Sequence, residues 1–247
     1  MKRLFPILSV ITAVLLAYAL NQALAIVQIP GVAPTERTMG DVQRIFYYHV
    51  PSAWTAFLLF MVNLVASVVY LIRRNPKADA VAVVCAEVGV VFCTIVLVTG
   101  PIWARPVWGI WWTWDVRLTT TLVLWLIYVS YLVLRRFSDS AQTPVLAAVL
   151  AIFGALDVPL VYFSIWFFRT QHPQPVIGGG GSLDPRMWHV LLINWLAFCC
   201  FAFLVCWSRY RLEMLQREVE EAHALESLVG AGAVSAKASM PLNRSPR

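Results

Sequence analysis

The sequence is poor in charge. Of its 247 residues, 13 are acidic and 19 are Lys or Arg, so that 13% are charged and 60% are hydrophobic. Soluble domains carry about 25% charged residues, and the mean hydropathy of this chain is correspondingly high at +0.72. These values exclude a soluble globular domain and indicate an integral membrane protein. The net charge of +6 is spread between apolar segments instead of forming a patch, which favours contact with anionic membrane lipids over nucleic-acid binding.

The C-x-x-C spacing typical of metal and redox sites is also missing. All five cysteines lie inside apolar segments and none belongs to a C-x-x-C pair. We interpret them as small buried hydrophobic residues, which argues against a disulfide framework or a cysteine metal site.

Long apolar runs are what the chain has in abundance. A membrane-spanning helix needs about 20 apolar residues. The first of these apolar runs, residues 5–27, shows no cleavage site of a signal peptide. The runs cover residues 5–27, 53–72, 78–99, 118–134, 144–168 and 188–207. Gly100-Pro101 predicts the end of the third run. We therefore predict an all-α integral membrane protein with six transmembrane helices.

The cations predict the orientation of these helices. One side of the membrane receives Lys2, Arg3, Arg73, Arg74, Lys77, Arg135, Arg136, Arg209, Arg211 and Arg217. The other side receives Arg37, Arg44, Arg105, Arg117, Arg169 and Arg186. Since the more cationic side faces the cytoplasm, we predict that both termini are cytoplasmic. Three longer loops, residues 28–52, 100–117 and 169–187, then share the outer face of a bacterial cytoplasmic membrane.

The chain divides into three parts by composition. Residues 1–208 form the predicted six-helix membrane domain, with a tryptophan-rich loop at 100–118. Apolar residues at helical spacing within 209–228 predict an amphipathic cytoplasmic helix, which either continues the sixth span or docks on a partner. Residues 229–247 are rich in small residues, and we predict a disordered tail there.

The tryptophan-rich loop is the most unusual stretch. It contains Trp103, Trp108, Trp111, Trp112 and Trp114, followed by Asp115 and Arg117. Rigid, flat indoles with an N–H donor at the edge can form a surface for another flat aromatic body. Arg105 and Arg117 are suited to bind carboxylates on the rim of such a body. The alternative is an interfacial aromatic belt at a helix end.

Two histidines flank this loop on the same predicted face. His49 lies at the outer entrance of the second helix, and His172 lies just past the fifth. Neutral imidazole is an axial ligand of haem iron, and haem is flat and apolar with two carboxylates on one edge. His189, at the start of the sixth helix, is an alternative second ligand. The candidates to bind the haem carboxylates are Arg44, Arg105, Arg117 and Arg169. The alternative partner of each arginine is lipid phosphate.

Three acidic residues occupy notable positions. Asp115 precedes the fourth helix and either caps it or orients a histidine or arginine. Glu87 and Asp157 lie within the third and fifth apolar runs, where acids are rare and suggest function. Asp157 is two residues before Pro159, so its alternative role is to bond backbone groups freed by the proline.

At these residues the chain resembles a known family, the haem exporter protein C family of cytochrome c maturation. The shared signatures, in the family's order, are H-V-P at 49–51, T-G-x-x-W at 99–103, W-G-x-W-W-x-W-D-x-R-L-T at 108–119, V-P-x-V-Y-F-S at 158–164 and T-x-H at 170–172. The haem lyase subunits and cytochrome c synthases share the tryptophan signature but are much longer chains. One departure is T-Q-H-P at 170–173, where the family usually has T-L-H-Q.

The resemblance implies a function, a site and partners. It implies that haem b is held at the outer face by axial His49 and His172, on a platform of Trp108, Trp111, Trp112 and Trp114 beside Asp115. It also implies delivery of haem to a membrane-anchored chaperone, maturation protein E, together with the ABC-type subunits A and B and the small protein D. The implied chemistry is coordination and handover, which leaves open whether the chain counts as an enzyme.

Two other functions would also fit parts of this sequence. A membrane electron-transfer protein of the cytochrome b kind would also bind haem, but its ligands lie at membrane depth on facing helices. A solute transporter would use Glu87 and Asp157, and paired, interrupted helices would support it. Only the fifth apolar run carries such an interruption, at Pro159.

Overall fold

The computed structural model describes residues 4–25, 34, 39–138, 140–168, 170–173 and 183–238. Within them the chain forms α1 (Leu4–Leu24), a 3₁₀ helix (Gly40–Ile45), α2 (Phe46–Arg73), α3 (Pro76–Trp108), α4 (Val116–Phe137), α5 (Thr143–Phe167) and α6 (Pro185–Ala238). All six α-helices are long and apolar enough to cross a membrane. The prediction of an all-α, multi-pass membrane protein with six spans is thereby confirmed.

The core of the bundle lies between α2, α3, α4 and α5. The rings of Phe60 on α2 and Tyr128 on α4 are stacked, with centroids 3.8 Å apart and an interplanar angle of 11°. Gly89 on α3 makes this possible, because a Cβ at that position would lie 2.6 Å from the Phe60 ring. Helix α1 packs mainly on α6, at the periphery. The absence of a side chain at Gly89 therefore allows α3 to pack closely on α2.

Helix α3 is longer than the sequence predicted. Gly100-Pro101 was expected to end it, and this was wrong, since the helix continues to Trp108. Pro101 removes only the N–H that would bond the carbonyl of Leu97, and packed membrane helices tolerate such a freed carbonyl. The helix ends instead at Gly109, which adopts a left-handed φ of +77° and donates its N–H to the Arg105 carbonyl. Trp103 and Trp108 consequently lie on a helix, and the connection to α4 is short.

Helix α6 extends far beyond the length needed for a membrane span. Its 54 residues correspond to about 80 Å, whereas the hydrocarbon core of a bilayer is about 30 Å thick. The predicted amphipathic helix at 209–228 is thus a direct continuation of the sixth span. The helix passes the predicted boundary at 228 and runs to Ala238, so residues 229–238 of the predicted tail are helical. Residues 239–247 lie outside the described residues.

An ion-pair cluster joins three helices at one end of the bundle. Asp79, near the start of α3, has a side chain only 5% exposed and binds Arg135 of α4 through two hydrogen bonds of 2.8 and 2.6 Å. Arg217 of α6 donates to the same carboxylate at 2.8 Å. The opposite end of the bundle contains the start of α2, the end of α3 and the start of α4, where the candidate site lies.

Candidate functional site

A cleft opens between α2, α3, α4 and the segment that follows α5. The space enclosed by its walls is about 80 Å³, and the space counted out to its opening is about 800 Å³, so the cleft is largely open. The polar and aromatic residues that line it are His49, Trp103, Trp108, Trp112, Arg117, Thr121 and His172. Phe57, Cys93, Val96 and Val161 form part of its apolar wall. The cleft therefore combines flat apolar surfaces with two imidazoles and one guanidinium.

The two imidazoles lie close together although their residues are far apart in sequence. Their ring centroids are 6.3 Å apart and their planes are inclined by 34°. His49 is buried in the first turn of α2, and its Nδ1 lies 2.9 Å from Oγ1 of Thr99 on α3. His172 follows α5, and its Nδ1 lies 2.8 Å from the Pro173 carbonyl oxygen. Within the described residues neither Nε2 has a hydrogen-bond partner, so both are available to a ligand.

This separation suits a single metal between the rings. An imidazole–metal bond is about 2 Å long and the ring nitrogen lies about 1 Å from the ring centre, so two axial rings on one metal are about 6 Å apart. Among the described residues, no group of three or more His, Cys, Asp and Glu residues could hold a metal ion. A metal in this cleft would therefore need its remaining ligands from another source, such as a porphyrin.

The five tryptophans separate into two groups. Trp103, Trp108 and Trp112 line the cleft, and the Trp103 ring packs edge-on against His49 with centroids 5.8 Å apart. Trp111 and Trp114 are 59% and 76% exposed and do not line it. The indole N–H groups of Trp103 and Trp112 are buried and have no partner among the described residues. Because a buried, unpaired donor is costly, these two N–H groups suit a ligand that carries acceptors.

The candidate arginines also differ in position. Arg117 lines the cleft and lies 3.4 Å from the Tyr162 carbonyl oxygen. Arg105 lies over the ring of Trp111 and donates to the Gly109 carbonyl. Arg44 donates to the Ala23 carbonyl at the end of α1 and borders a different cleft. Arg169 lies outside the described residues. Of the candidates whose positions are described, Arg117 is thus the one beside the histidines.

Asp115 has two roles in the structure. It caps α4, because its carboxylate accepts a hydrogen bond of 2.9 Å from the Leu118 N–H. The same carboxylate accepts a hydrogen bond of 2.7 Å from the hydroxyl of Thr170, whose oxygen in turn accepts a hydrogen bond of 3.1 Å from the backbone N–H of His172. Asp115 therefore combines the helix cap with an indirect tie to a histidine, which are two of the roles considered from the sequence.

The surroundings of His172 keep its imidazole neutral. Its pKa is lowered from 6.5 to about 4, mainly because burial desolvates the ring and also because the Arg117 guanidinium lies nearby. The Pro173 carbonyl and Asp115 act in the opposite sense but are weaker. At neutral pH the His172 ring consequently keeps one bare nitrogen, as a metal ligand requires.

The remaining polar candidates lie elsewhere. His189 is exposed on α6 and is not among the residues that line the cleft. Glu87 forms a bidentate ion pair of 2.8 Å with Arg209 of α6. Asp157 has one carboxylate oxygen that is buried without a partner among the described residues. The structure thus places His172, and not His189, opposite His49.

Two residues beside His49 were not predicted. Thr99 contacts His49, and a Cβ on Gly100 would lie 3.5 Å from the His49 ring. Both belong to the T-G-x-x-W signature, but sequence alone does not show that this part of α3 lies against the His49 ring.

Comparisons with known proteins identify the family of this chain. The family model "Heme exporter protein C" matches residues 1–225. The heme exporter protein C of Bradyrhizobium diazoefficiens is 34% identical over 228 residues, which cover 91% of this chain and 84% of that protein. The protein of the same name from Haemophilus influenzae is 31% identical, with 88% and 87% covered, and that from Escherichia coli K12 is 35% identical, with 64% of each chain covered. The chain therefore belongs to the heme exporter protein C family.

Proposed function

We propose that this chain is a membrane haem-handling protein of cytochrome c biogenesis, with His49 and His172 as the two axial ligands of haem b. The family name and the names of the relatives support the general function. The observation that carries the site assignment is the pair of neighbouring imidazoles, whose centroids are 6.3 Å apart and whose Nε2 atoms have no hydrogen-bond partner among the described residues. Haem is here the cargo, and the chain's task is to hold and release it.

The other cleft residues receive matching roles. Trp103, Trp108 and Trp112 pack against the macrocycle, since indole faces offer large apolar surfaces. Arg117 pairs with a propionate, because a guanidinium binds a carboxylate through two parallel hydrogen bonds. Arg44 and Arg105 are engaged outside the cleft, so Arg117 is the stronger candidate. Coordination and handover need no catalytic dyad in this chain, and covalent attachment of haem to an acceptor is chemistry of the wider complex.

We further propose that the cleft faces outward from the bacterial inner membrane. Arg73 and Arg74 lie at the end of α2, Lys77 lies in the first turn of α3, and Arg135 and Arg136 lie in the last turn of α4, all at the end of the bundle opposite the cleft. The positive-inside rule assigns that end to the cytoplasm. Both termini are then cytoplasmic, and the cleft opens on the periplasmic face.

The partners follow from the family resemblance. We propose that haem passes from this cleft to a membrane-anchored chaperone, maturation protein E, in a complex with the ABC-type subunits A and B and the small protein D. The exposed indoles of Trp111 and Trp114 beside the cleft suit contact with a protein that receives haem, because tryptophan is enriched at interface hot spots.

Neither alternative function has comparable support. An electron-transfer cytochrome b holds its ligands on facing helices at membrane depth, whereas His172 follows the end of α5. A transporter would use Glu87, but this carboxylate is already paired with Arg209. The haem proposal does not use Asp157, whose buried carboxylate oxygen has no partner among the described residues.

Haem binding by histidine variants tests the proposal. The purified full-length protein is titrated with haem, and the Soret band is recorded for the wild type, His49→Ala, His172→Ala and His189→Ala. We expect the first two substitutions to weaken binding at least tenfold and to change the band position, because each removes an axial ligand. His189→Ala is the matched control and should behave as the wild type. Unchanged spectra for both His49→Ala and His172→Ala would refute the ligand assignment.

A further inference from the structure

Thr99 makes two contacts that together define which nitrogen of His49 carries a proton. Its Oγ1 lies 2.7 Å from the Ile95 carbonyl oxygen, one turn earlier in α3, and 2.9 Å from Nδ1 of His49. Two oxygens at 2.7 Å need a hydrogen between them, and a carbonyl cannot supply it. The single hydroxyl proton of Thr99 therefore points to Ile95.

With its proton committed, Thr99 can only accept from His49. The hydrogen in the 2.9 Å contact must then be on Nδ1 of the imidazole, since a neutral imidazole has one donor and one acceptor nitrogen. Nε2 of His49 is left with its lone pair. The imidazole borders the cleft, so this bare nitrogen is the one available to an incoming ligand.

His172 is held in the same tautomer by a different group. Its Nδ1 lies 2.8 Å from the Pro173 carbonyl oxygen, and a carbonyl oxygen only accepts. Nδ1 of His172 is accordingly the donor and Nε2 the bare nitrogen. The two rings thus match in protonation although one is held by a side chain of another helix and the other by the backbone next to it.

We infer that Thr99 is a positioning residue, whose hydroxyl fixes His49 as the Nδ1–H tautomer before any ligand arrives. This inference rests on the proposed function for its purpose, because a preset, bare Nε2 matters only if that atom binds a metal. Hydrogen bonds of this kind orient metal-binding histidines and increase their basicity, and their loss typically lowers metal affinity 10–100-fold. The inference assigns that role to a residue outside the cleft lining.

The first experiment reads the tautomer directly, without haem. The haem-free full-length protein, labelled with ¹⁵N-histidine in lipid nanodiscs at neutral pH, is studied by NMR, and the His49 signals are identified by their loss in His49→Ala. In the wild type we expect a protonated Nδ1 and a bare Nε2. In Thr99→Val, which keeps the side-chain shape but removes the hydroxyl, we expect a population with a protonated Nε2. Thr99→Ser restores the hydroxyl and should restore the wild-type pattern.

The outcomes separate this inference from the proposed function. A protonated Nε2 on His49 in the wild type, or a His49 tautomer unchanged by Thr99→Val, would overturn the role of Thr99 even if His49→Ala abolishes haem binding. If the tautomer responds to Thr99 as expected but haem binding ignores His49, the hydrogen-bond assignment holds and the haem proposal fails.

A second experiment measures the consequence for binding. Thr99→Val should weaken haem affinity about tenfold or more and shift the reduction potential of the bound haem, whereas Thr99→Ser should stay near the wild type in both. Thermal unfolding of the haem-free proteins is measured in parallel, since a purely structural role would lower the unfolding temperature of Thr99→Val without changing the His49 tautomer. That result would contradict the inference.

Discussion

The carboxylate of Asp115 accepts a hydrogen bond of 2.7 Å from the hydroxyl of Thr170, 55 residues later in the chain. This contact joins the tryptophan-rich connection before α4 to the segment after α5. The Thr170 hydroxyl oxygen also accepts a hydrogen bond from the backbone N–H of His172. The position of His172 therefore depends on Asp115 through one intervening side chain. The two motifs W-D-x-R and T-x-H are therefore parts of one structural unit.

Separate substitutions distinguish this tie from the helix cap. Thr170→Val removes the hydrogen bond between residue 170 and Asp115 but leaves the Asp115 cap of α4 intact. We therefore expect haem affinity to fall about tenfold with little change in the unfolding temperature. Asp115→Ala removes both, and should also cost about 1 kcal/mol of stability, the usual value of an N-cap. Haem titration and thermal unfolding check the two effects. Wild-type haem affinity in Thr170→Val would contradict the proposed tie.

A pH titration tests the electrostatics of His172. Because its pKa falls from 6.5 to about 4 on folding, the unfolded chain binds a proton more readily than the folded chain between these values. The contribution of His172 to stability is hence complete above about pH 6.5 and is lost as the pH falls towards 4. NMR of the haem-free protein should show His172 titrating near pH 4.

The causes of this shift predict the effect of Arg117. Arg117→Gln removes the second largest cause of the lowered pKa, so the His172 midpoint should move upward towards its usual value. Desolvation remains in the variant, which should keep the midpoint below 6.5. A midpoint near 6.5 in the wild type would mean that His172 is not desolvated as the structure indicates.

The Asp79 cluster offers a test of stability away from the site. Asp79→Asn removes a carboxylate that is 5% exposed and takes the ion-pair partner from Arg135, whereas Arg217 keeps its pair with Glu213. Loss of one partner from a buried ion pair typically costs about 3–5 kcal/mol. Arg186→Gln breaks an exposed pair with Asp184 and should cost less than about 1 kcal/mol. Thermal unfolding that ranks the two variants equally would contradict the importance of this cluster.

The sequence predicted the number and type of helices well, because apolar runs of about 20 residues report directly on membrane burial. It failed at the end of α3, where Gly100-Pro101 is a local stop signal that tertiary packing overrides. That single error also affected the predicted positions of the tryptophans at the site. With residues 100–108 treated as a loop, Trp103 and Trp108 could not be separated from Trp111 and Trp114 by the face they occupy.

Local sequence patterns could not predict contacts between residues that are far apart in the chain. The pairing of His49 with His172 came from a shared predicted face and from the family resemblance, since periodicity cannot bring residues 123 positions apart into contact. The choice of Arg117 over Arg44 and Arg105 required coordinates, because three arginines near one membrane face look alike in sequence. Thr99 is ordinary in sequence and gains its role only from the imidazole beside it.

The two groups of tryptophans lead to a final prediction. Trp112 lines the cleft with a buried N–H that has no partner among the described residues, whereas the neighbouring Trp111 is 59% exposed. Trp112→Phe keeps an aromatic face but removes the donor, so haem affinity should fall about three- to tenfold, as for one net hydrogen bond. Trp111→Phe is the matched control and should leave the affinity of the isolated protein unchanged. Equal losses from both substitutions would mean that exposed and buried indoles contact haem alike, and that the connection between α3 and α4 closes over the ligand.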